Sequence, residues 1–208
     1  MGVAGTKEGE MKKTILTVII FCFLGSSLLF AAEEFDFRRI RWGMTIAEVM
    51  KSERGKFIGD ITDTVKKGMI PENSTVIVFS DYISGMRCQI NHQFLNGILY
   101  SSSFIIMEEH SNLDLYVDDY DKILSQLKLK YGSPMFDKVS HKSDPFEGVE
   151  GYSGLAYAQG YRQRVALFKT ERSEIMAILS GDNGKIGASF FYTKKGYEGA
   201  RPVVDSSL

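Results

Sequence analysis

Two Asn-Gly pairs, Asn96-Gly97 and Asn183-Gly184, limit what this chain can fold into more than any other feature. An Asn-Gly pair between apolar segments selects a two-residue hairpin turn, because both central positions need φ > 0 and these two residues tolerate it at little cost. A hairpin makes its flanking segments neighbours and sets their register. With Asn96-Gly97 as the turn, "MRCQINHQFL" pairs with "ILYSSSFIIM" so that Phe94 faces Leu99, Ile90 faces Ser103 and Cys88 faces Ile105. Met86, Cys88, Ile90, Phe94, Leu99, Ile105 and Met107 then gather on one side, a core face. With Asn183-Gly184 as the turn, Leu179 faces Ala188, Ala177 faces Phe190 and Ile175 faces Tyr192.

Each hairpin follows a helical segment and a third strand. "TIAEVMKSE" spaces Ile46, Val49 and Met50 as a short amphipathic helix that breaks at Gly55, and "STVIVFS" is a β-branched strand. "LDLYVDDYDKILSQLKLKYGSP" is a longer helix with Tyr116, Tyr120, Ile123, Leu124, Leu127 and Tyr131 as its apolar stripe, stopped by Gly132 and Pro134. Phe136 to Gly151 is polar and reads as a loop, "YSGLAYAQG" as a short helical turn, and "RVALFKT", "SEIMAILS" and "KIGASFFYT" as strands. The expectation is an α+β domain with halves of about 37–110 and 111–195. Each half is a helix plus three strands, and together they form one antiparallel sheet of about six strands with the helices on one face. Glu33–Asp36 and Gly196–Leu208 read as loose ends.

The start of the chain carries an address. From Met11, "MKKTILTVIIFCFLGSSLLFAAEEF" runs from two lysines through an apolar stretch to small residues and an acidic continuation, the layout of a secretory signal cut after Ala31 or Ala32, with an uncleaved anchor as the alternative. Cys22 follows Phe21, where lipid attachment needs a small residue, and so belongs to the apolar stretch. "MGVAGT" matches the myristoylation pattern at Gly2 and Thr6, but the secretory signal behind it contradicts a cytosolic acyl anchor, and Met11 is a natural start. The expected protein is exported to the periplasm or beyond, with residues 1–32 removed and no transmembrane domain in the mature form. Without those residues, Lys+Arg fall from 25 to 22 and Asp+Glu from 26 to 24, which leaves a small negative charge and no basic run to hold nucleic acid. Cys88 is then the sole cysteine, so packing alone must hold the core.

"WGMTIAEV", a three-strand meander and "KYGSP" ending the later helix together resemble a group of small exported bacterial proteins of unassigned function. "GMTIAEV" is also similar to the opening of outer-membrane assembly lipoproteins of the SmpA/OmlA (BamE) type. The tandem helix-and-meander plan is similar, more loosely, to β-lactamase-inhibitor proteins. The resemblance spans most of residues 37–193 as architecture. The chain departs from the assembly lipoproteins in lacking a usable lipid-attachment cysteine and in ending its first helix with "SERGKFIG". The resemblance therefore implies a fold, and a fold alone assigns no activity.

Within "RWGMTIAEVM", Thr45 and Glu48 have the spacing of a capping box, Met44 and Val49 that of a hydrophobic staple, and Trp42 packs the entering chain. The candidate chemistry is sparse. His92 shares the expected core face with Cys88 and sits opposite Ser101, giving a polar cluster of Cys88, His92 and Ser101. Apolar burial would raise the thiol's pKa and bar substrate, so a packed polar contact is the expected role. His110 and His141 have no metal-ligand spacing, and "YSSSF" is no nucleophile elbow. Asp114, Asp118, Asp119 and Asp121 suit a helix start better than a calcium loop, and "GDNGKIG" precedes a strand and is a hairpin turn, not a phosphate loop. No cofactor, metal ligand or catalytic set is expected. The expected function is a non-enzymatic binding module for a protein, peptide or envelope lipid; the alternative is a small hydrolase whose site assembles only in space.

Overall fold

The computed structural model describes residues 35–65, 70–149 and 151–197. The expected export signal and most of the C-terminal tail lie outside the described residues. In chain order the elements are α1 (Ile46–Ser52), β1 (Lys56–Asp60), a 3-10 turn (Thr62–Thr64), β2 (Ser74–Ile83), β3 (Met86–Leu95) and β4 (Ile98–Ile106). The second half follows with α2 (Asp114–Tyr131), β5 (Phe136–His141), α3 (Ser153–Ala158), β6 (Arg162–Lys169), β7 (Ser173–Asp182) and β8 (Lys185–Lys194).

The protein is α+β, and its sheet has eight strands, not six, in the order β1-β2-β3-β4-β8-β7-β6-β5 with antiparallel pairing throughout. Each half is thus a helix followed by four strands, and α3 interrupts the second, so two helix-plus-three-strand units do not describe it. The two missed strands are the sheet edges. "KFIGD" and "FDKVSH" are exposed along most of their length. An edge strand pairs on one side only and need not alternate apolar with polar, so its sequence reads as a loop.

The turn residues dictate the hairpins. Asn96 and Gly97 have φ of 50° and 76°, and Asn183 and Gly184 have φ of 51° and 78°, as a type I′ turn requires. The second hairpin keeps the expected register, with Leu179 opposite Ala188, Ala177 opposite Phe190 and Ile175 opposite Tyr192. The first slips. Phe94 faces Leu99, but a bulge at Tyr100 then sets Ser101 against Gln93, Ser102 against His92, Phe104 against Ile90 and Ile106 against Cys88. One extra residue exchanges the faces of a strand. Phe104 and Ile106 therefore enter the core, while Ile105 is half-buried and Met107 is exposed.

One face of the sheet bears a single core shared by the three helices of the described residues. Val49 of α1, Tyr120, Ile123, Leu124 and Leu127 of α2 and Tyr157 of α3 join Ile77, Phe79, Ile90, Phe94, Phe104, Phe168, Ile175, Leu179 and Phe190 in one buried cluster. Phe104 stacks on Phe190 at 4.7 Å, and Tyr120 stacks on Phe190 at 5.7 Å, so aromatic packing joins α2 to the two central strands. The α3 helix needs close backbone approach: a Cβ at Gly154 would lie 2.2 Å from the Leu113 carbonyl carbon, and one at Gly181 would lie 2.5 Å from the Tyr157 carbonyl oxygen. Asp36, which reads as part of a loose end, is buried and accepts hydrogen bonds from Trp42 N–H and Arg172 Nη2, each at 2.8 Å.

Candidate functional site

The structure splits the expected Cys88, His92 and Ser101 cluster. The bulge turns Ser101 to the opposite face, where its hydroxyl donates to the Tyr192 carbonyl at 3.1 Å. Cys88 is fully buried, its thiol is directed to the Met86 carbonyl, and burial pushes that thiol up to about 11. His92 instead meets Ser102 and a residue that the spacing of the sequence does not suggest, Glu53. The imidazole Nδ1 lies 2.8 Å from Ser102 Oγ, and Nε2 lies 3.2 Å from Glu53 Oε2. The rings of Phe37 and Phe79 close on the imidazole edge to face, at 5.9 and 5.6 Å. Sequence offers one signal here: a histidine on an apolar strand face needs partners, but nothing says that one of them lies 39 residues upstream.

Glu53 is there because α1 ends there. Its own N–H donates to the Val49 carbonyl as the helix C-cap, and its extended backbone turns the side chain under the sheet. Its side chain is 2% exposed. Burial would raise the carboxyl's pKa, but the His92 hydrogen bond, the Arg38 charge and the amides of Gly55 and Arg54 together outweigh it and hold it down at about 2. The ionised carboxylate can only accept, so His92 Nε2 is the donor of that contact, and Nδ1 is left to the Ser102 hydroxyl.

In composition this is a serine-histidine-glutamate relay. In access it is not: His92 and Ser102 have no exposed surface at all. A serine nucleophile must meet its acyl donor, and this one is sealed beneath two phenylalanines. The trio satisfies three polar groups inside an apolar core and ties α1 to β3 and β4.

The face of the trio nearest to solvent is basic. Phe37 and Ile40 close a tight turn by mutual backbone pairing, which buries both side chains and leaves Arg38, at φ of 53°, and Arg39 between them on the outside. Arg38 ion-pairs with Asp81 and with Glu53, where Nη1 stands 3.0 Å from Oε1 without the alignment of a hydrogen bond. Arg38, Arg39, Ser52, Glu53 and Arg54 line a cavity of about 300 Å³. Arg38 also lines a second, apolar cavity of about 190 Å³, between Phe37, Ile83 and Phe104 and the α2 residues Ile123 and Leu127.

The other two histidines and two of the acidic residues at the front of α2 each have a separate partner. His110 Nε2 lies 2.7 Å from Asp119, His141 Nδ1 lies 3.4 Å from Asp144, Asp114 accepts from Gly154 N–H, and Asp121 pairs with Arg164. Asp114, Asp119 and Asp121 are thus distributed among separate partners, and among the described residues no three His, Cys, Asp or Glu side chains converge as a metal site would need. Thr45 and Glu48 form a reciprocal capping box, with the Thr45 amide donating to Glu48 at 2.8 Å and the Glu48 amide to Thr45 Oγ1 at 3.4 Å. Trp42 Nε1 donates to Ser173 Oγ at 2.9 Å, so the entry segment reaches into the second half of the chain.

The sheet face that meets no helix among the described residues forms the other notable surface. Cross-strand pairs place Phe136, Leu167, Met176 and Phe191 in one row and Val165, Ile178 and, beyond Ser189, Ile105 in the next. All seven are half-buried or exposed, with Phe136 at 40%. On the first half of the chain the same face is closed: Val76, Val78, Tyr100, Ser101 and Ser103 are buried, and Tyr197 stacks over Tyr100 at 4.1 Å. The open apolar surface therefore lies mainly on the second half, with Tyr82, Ile105 and Met107 as separate open positions on the first. Among the described residues no helix is long and apolar enough to cross a membrane. Compared with known proteins, the chain matches no family model, no curated protein and no solved structure, so its own geometry must carry the functional reading.

Proposed function

We propose that the protein is an exported, non-enzymatic binding module of the cell envelope, which engages a protein or peptide partner through the helix-free face of β5, β6, β7 and β8. The observation that carries this reading is the apolar row from Phe136 to Phe191, contiguous across four strands and flanked by Val165 and Ile178, which no helix covers among the described residues. A contiguous apolar patch costs solubility, and such patches mark interaction surfaces more often than chance would place them. Flat sheet faces lined by Phe, Met and Leu supply the rigid anchors from which interface energy comes. The opposing indication, the buried serine-histidine-glutamate trio, does not favour hydrolysis. Its carboxylate is held ionised and its hydroxyl has no route to a substrate.

The test is site-specific photo-crosslinking in the native envelope. A photoreactive residue at Met176 should capture a discrete partner, whereas one at Leu129, 88% exposed on α2, should not. Phe191→Asp should abolish the Met176 adduct. Equal capture from both positions, or capture that survives Phe191→Asp, would reject this face as the contact surface.

A further inference from the structure

We propose that the cavity beneath the Phe37–Ile40 turn is an anion site for a phosphate monoester group. Three guanidinium groups, Arg38, Arg39 and Arg54, line it together with the Ser52 side chain and a single carboxylate, Glu53. That carboxylate is already committed: Oε1 accepts from the amides of Arg54 at 2.8 Å and Gly55 at 3.1 Å, and Oε2 faces His92. Arg38 is held by Glu53 and by Asp81, so the three guanidinium groups and two carboxylates leave one positive charge in surplus, on the side of Arg39 and Arg54. A phosphate monoester is anionic at neutral pH and accepts through three oxygens, one for each guanidinium group, where a carboxylate offers two.

Arg38 is the prepared element of the site. Asp81 and Glu53 fix its guanidinium from two sides, and its buried Nη1 has no aligned acceptor among the described residues. A fixed guanidinium loses little freedom when an oxyanion arrives, and a buried donor without an acceptor gains one. Arg39 and Arg54 are exposed and can fold inward over the ligand, and the Ser52 hydroxyl supplies a further donor. The volume of about 300 Å³ exceeds the need of a lone phosphate and leaves room for the group that it esterifies. Arg38 is also the wall shared with the apolar cavity, so an acyl chain attached to the phosphate would find an apolar slot on its far side. The shared chemistry is the phosphate monoester. Its source, a soluble metabolite or a lipid headgroup, is for experiment to separate.

The purified full chain would be titrated with inorganic phosphate, glycerol 1-phosphate and dihexanoyl phosphatidic acid kept below its micellar concentration, and followed by the arginine Nε–H resonances. Saturable shifts of Arg38, Arg39 and Arg54 by the two soluble phosphates would assign the site to a soluble ligand, and saturation by the phosphatidic acid alone would assign it to a lipid headgroup. Either outcome supports the site. Arg39→Ala/Arg54→Ala should weaken binding by about tenfold or more, whereas Lys122→Ala/Lys142→Ala, which removes the same charge elsewhere, should change it less than about twofold. Equal weakening by both double variants, equal shifts from chloride at matched ionic strength, or no saturation by any of the three probes would overturn the proposal. Because the crosslinking at Met176 does not involve these residues, the two readings fail separately.

Discussion

Removing the charge at Glu53 should erase a defined part of the protein's resistance to acid. The carboxyl titrates at about 2 in the folded protein against an ordinary value of 4.5. A depressed carboxyl stabilises the fold above its unfolded value, and that stabilisation is lost as pH falls from about 4.5 toward about 2. A gap of about two and a half units at 1.36 kcal/mol per unit amounts to about 3 kcal/mol. Glu53→Gln keeps the shape but not the charge, so the variant should be less stable than the wild type by about that amount at pH 7, and the difference should shrink through the same window. Other carboxyls held low, those of Asp137 and Asp144 among them, contribute to acid unfolding in both proteins and cancel in the difference. The assay is urea unfolding at a series of pH values from 7 to 2, followed by fluorescence of Trp42, the only tryptophan, whose indole is bonded to Ser173 in the other half of the chain. A constant difference between wild type and variant from pH 7 to pH 2 would refute the reasoning, because the buried ion pair and the His92 contact would then not be what holds the carboxyl down.

Two further outcomes are local and cheap to measure. Thr45→Ala breaks the capping box and should cost about 1 kcal/mol, seen as a fall of a few degrees in Tm, with crosslinking at Met176 unchanged. Gly154→Ala drives a methyl group into the Leu113 backbone and should cost about 3 kcal/mol or more, whereas Gly187→Ala, with nothing within 4 Å of the new carbon, should stay within about 0.5 kcal/mol of the wild type in the same urea assay.

Much of this architecture is legible from turn chemistry and periodicity, because both act over a few residues. The second hairpin, the buried stripe Tyr120, Ile123, Leu124 and Leu127, and the α+β class follow from them. What escapes depends on structure at longer range. β1 and β5 are invisible because an edge strand's sequence answers to solvent on its outer side as much as to its neighbour. The bulge at Tyr100 leaves no local mark, yet it exchanges Ser101 for Ser102 beside His92 and Ile105 for Phe104 in the core. Glu53 and Arg38 reach His92 only after a helix and a tight turn have placed them. A residue pattern can announce that a buried histidine needs company, but it cannot name the company.

The strand order has a consequence for the route by which the protein is completed. β4 and β8, the last strands of their halves, are neighbours at the middle of the sheet, and Ser101 to Ile105 pair with Thr193 to Ser189. A chain emerging from its N-terminal end can build β1 to β4 early, but β4 keeps an open edge until β8, the last of the described strands, has arrived. Closure of that seam spans roughly ninety residues of separation, the kind of non-local pairing that forms slowly. The interval before closure is therefore when the protein is most open to handling by other factors and most exposed to pairing with the wrong strand. Because the central strand comes last, truncation near the C-terminus would leave a split sheet and not merely a shorter one.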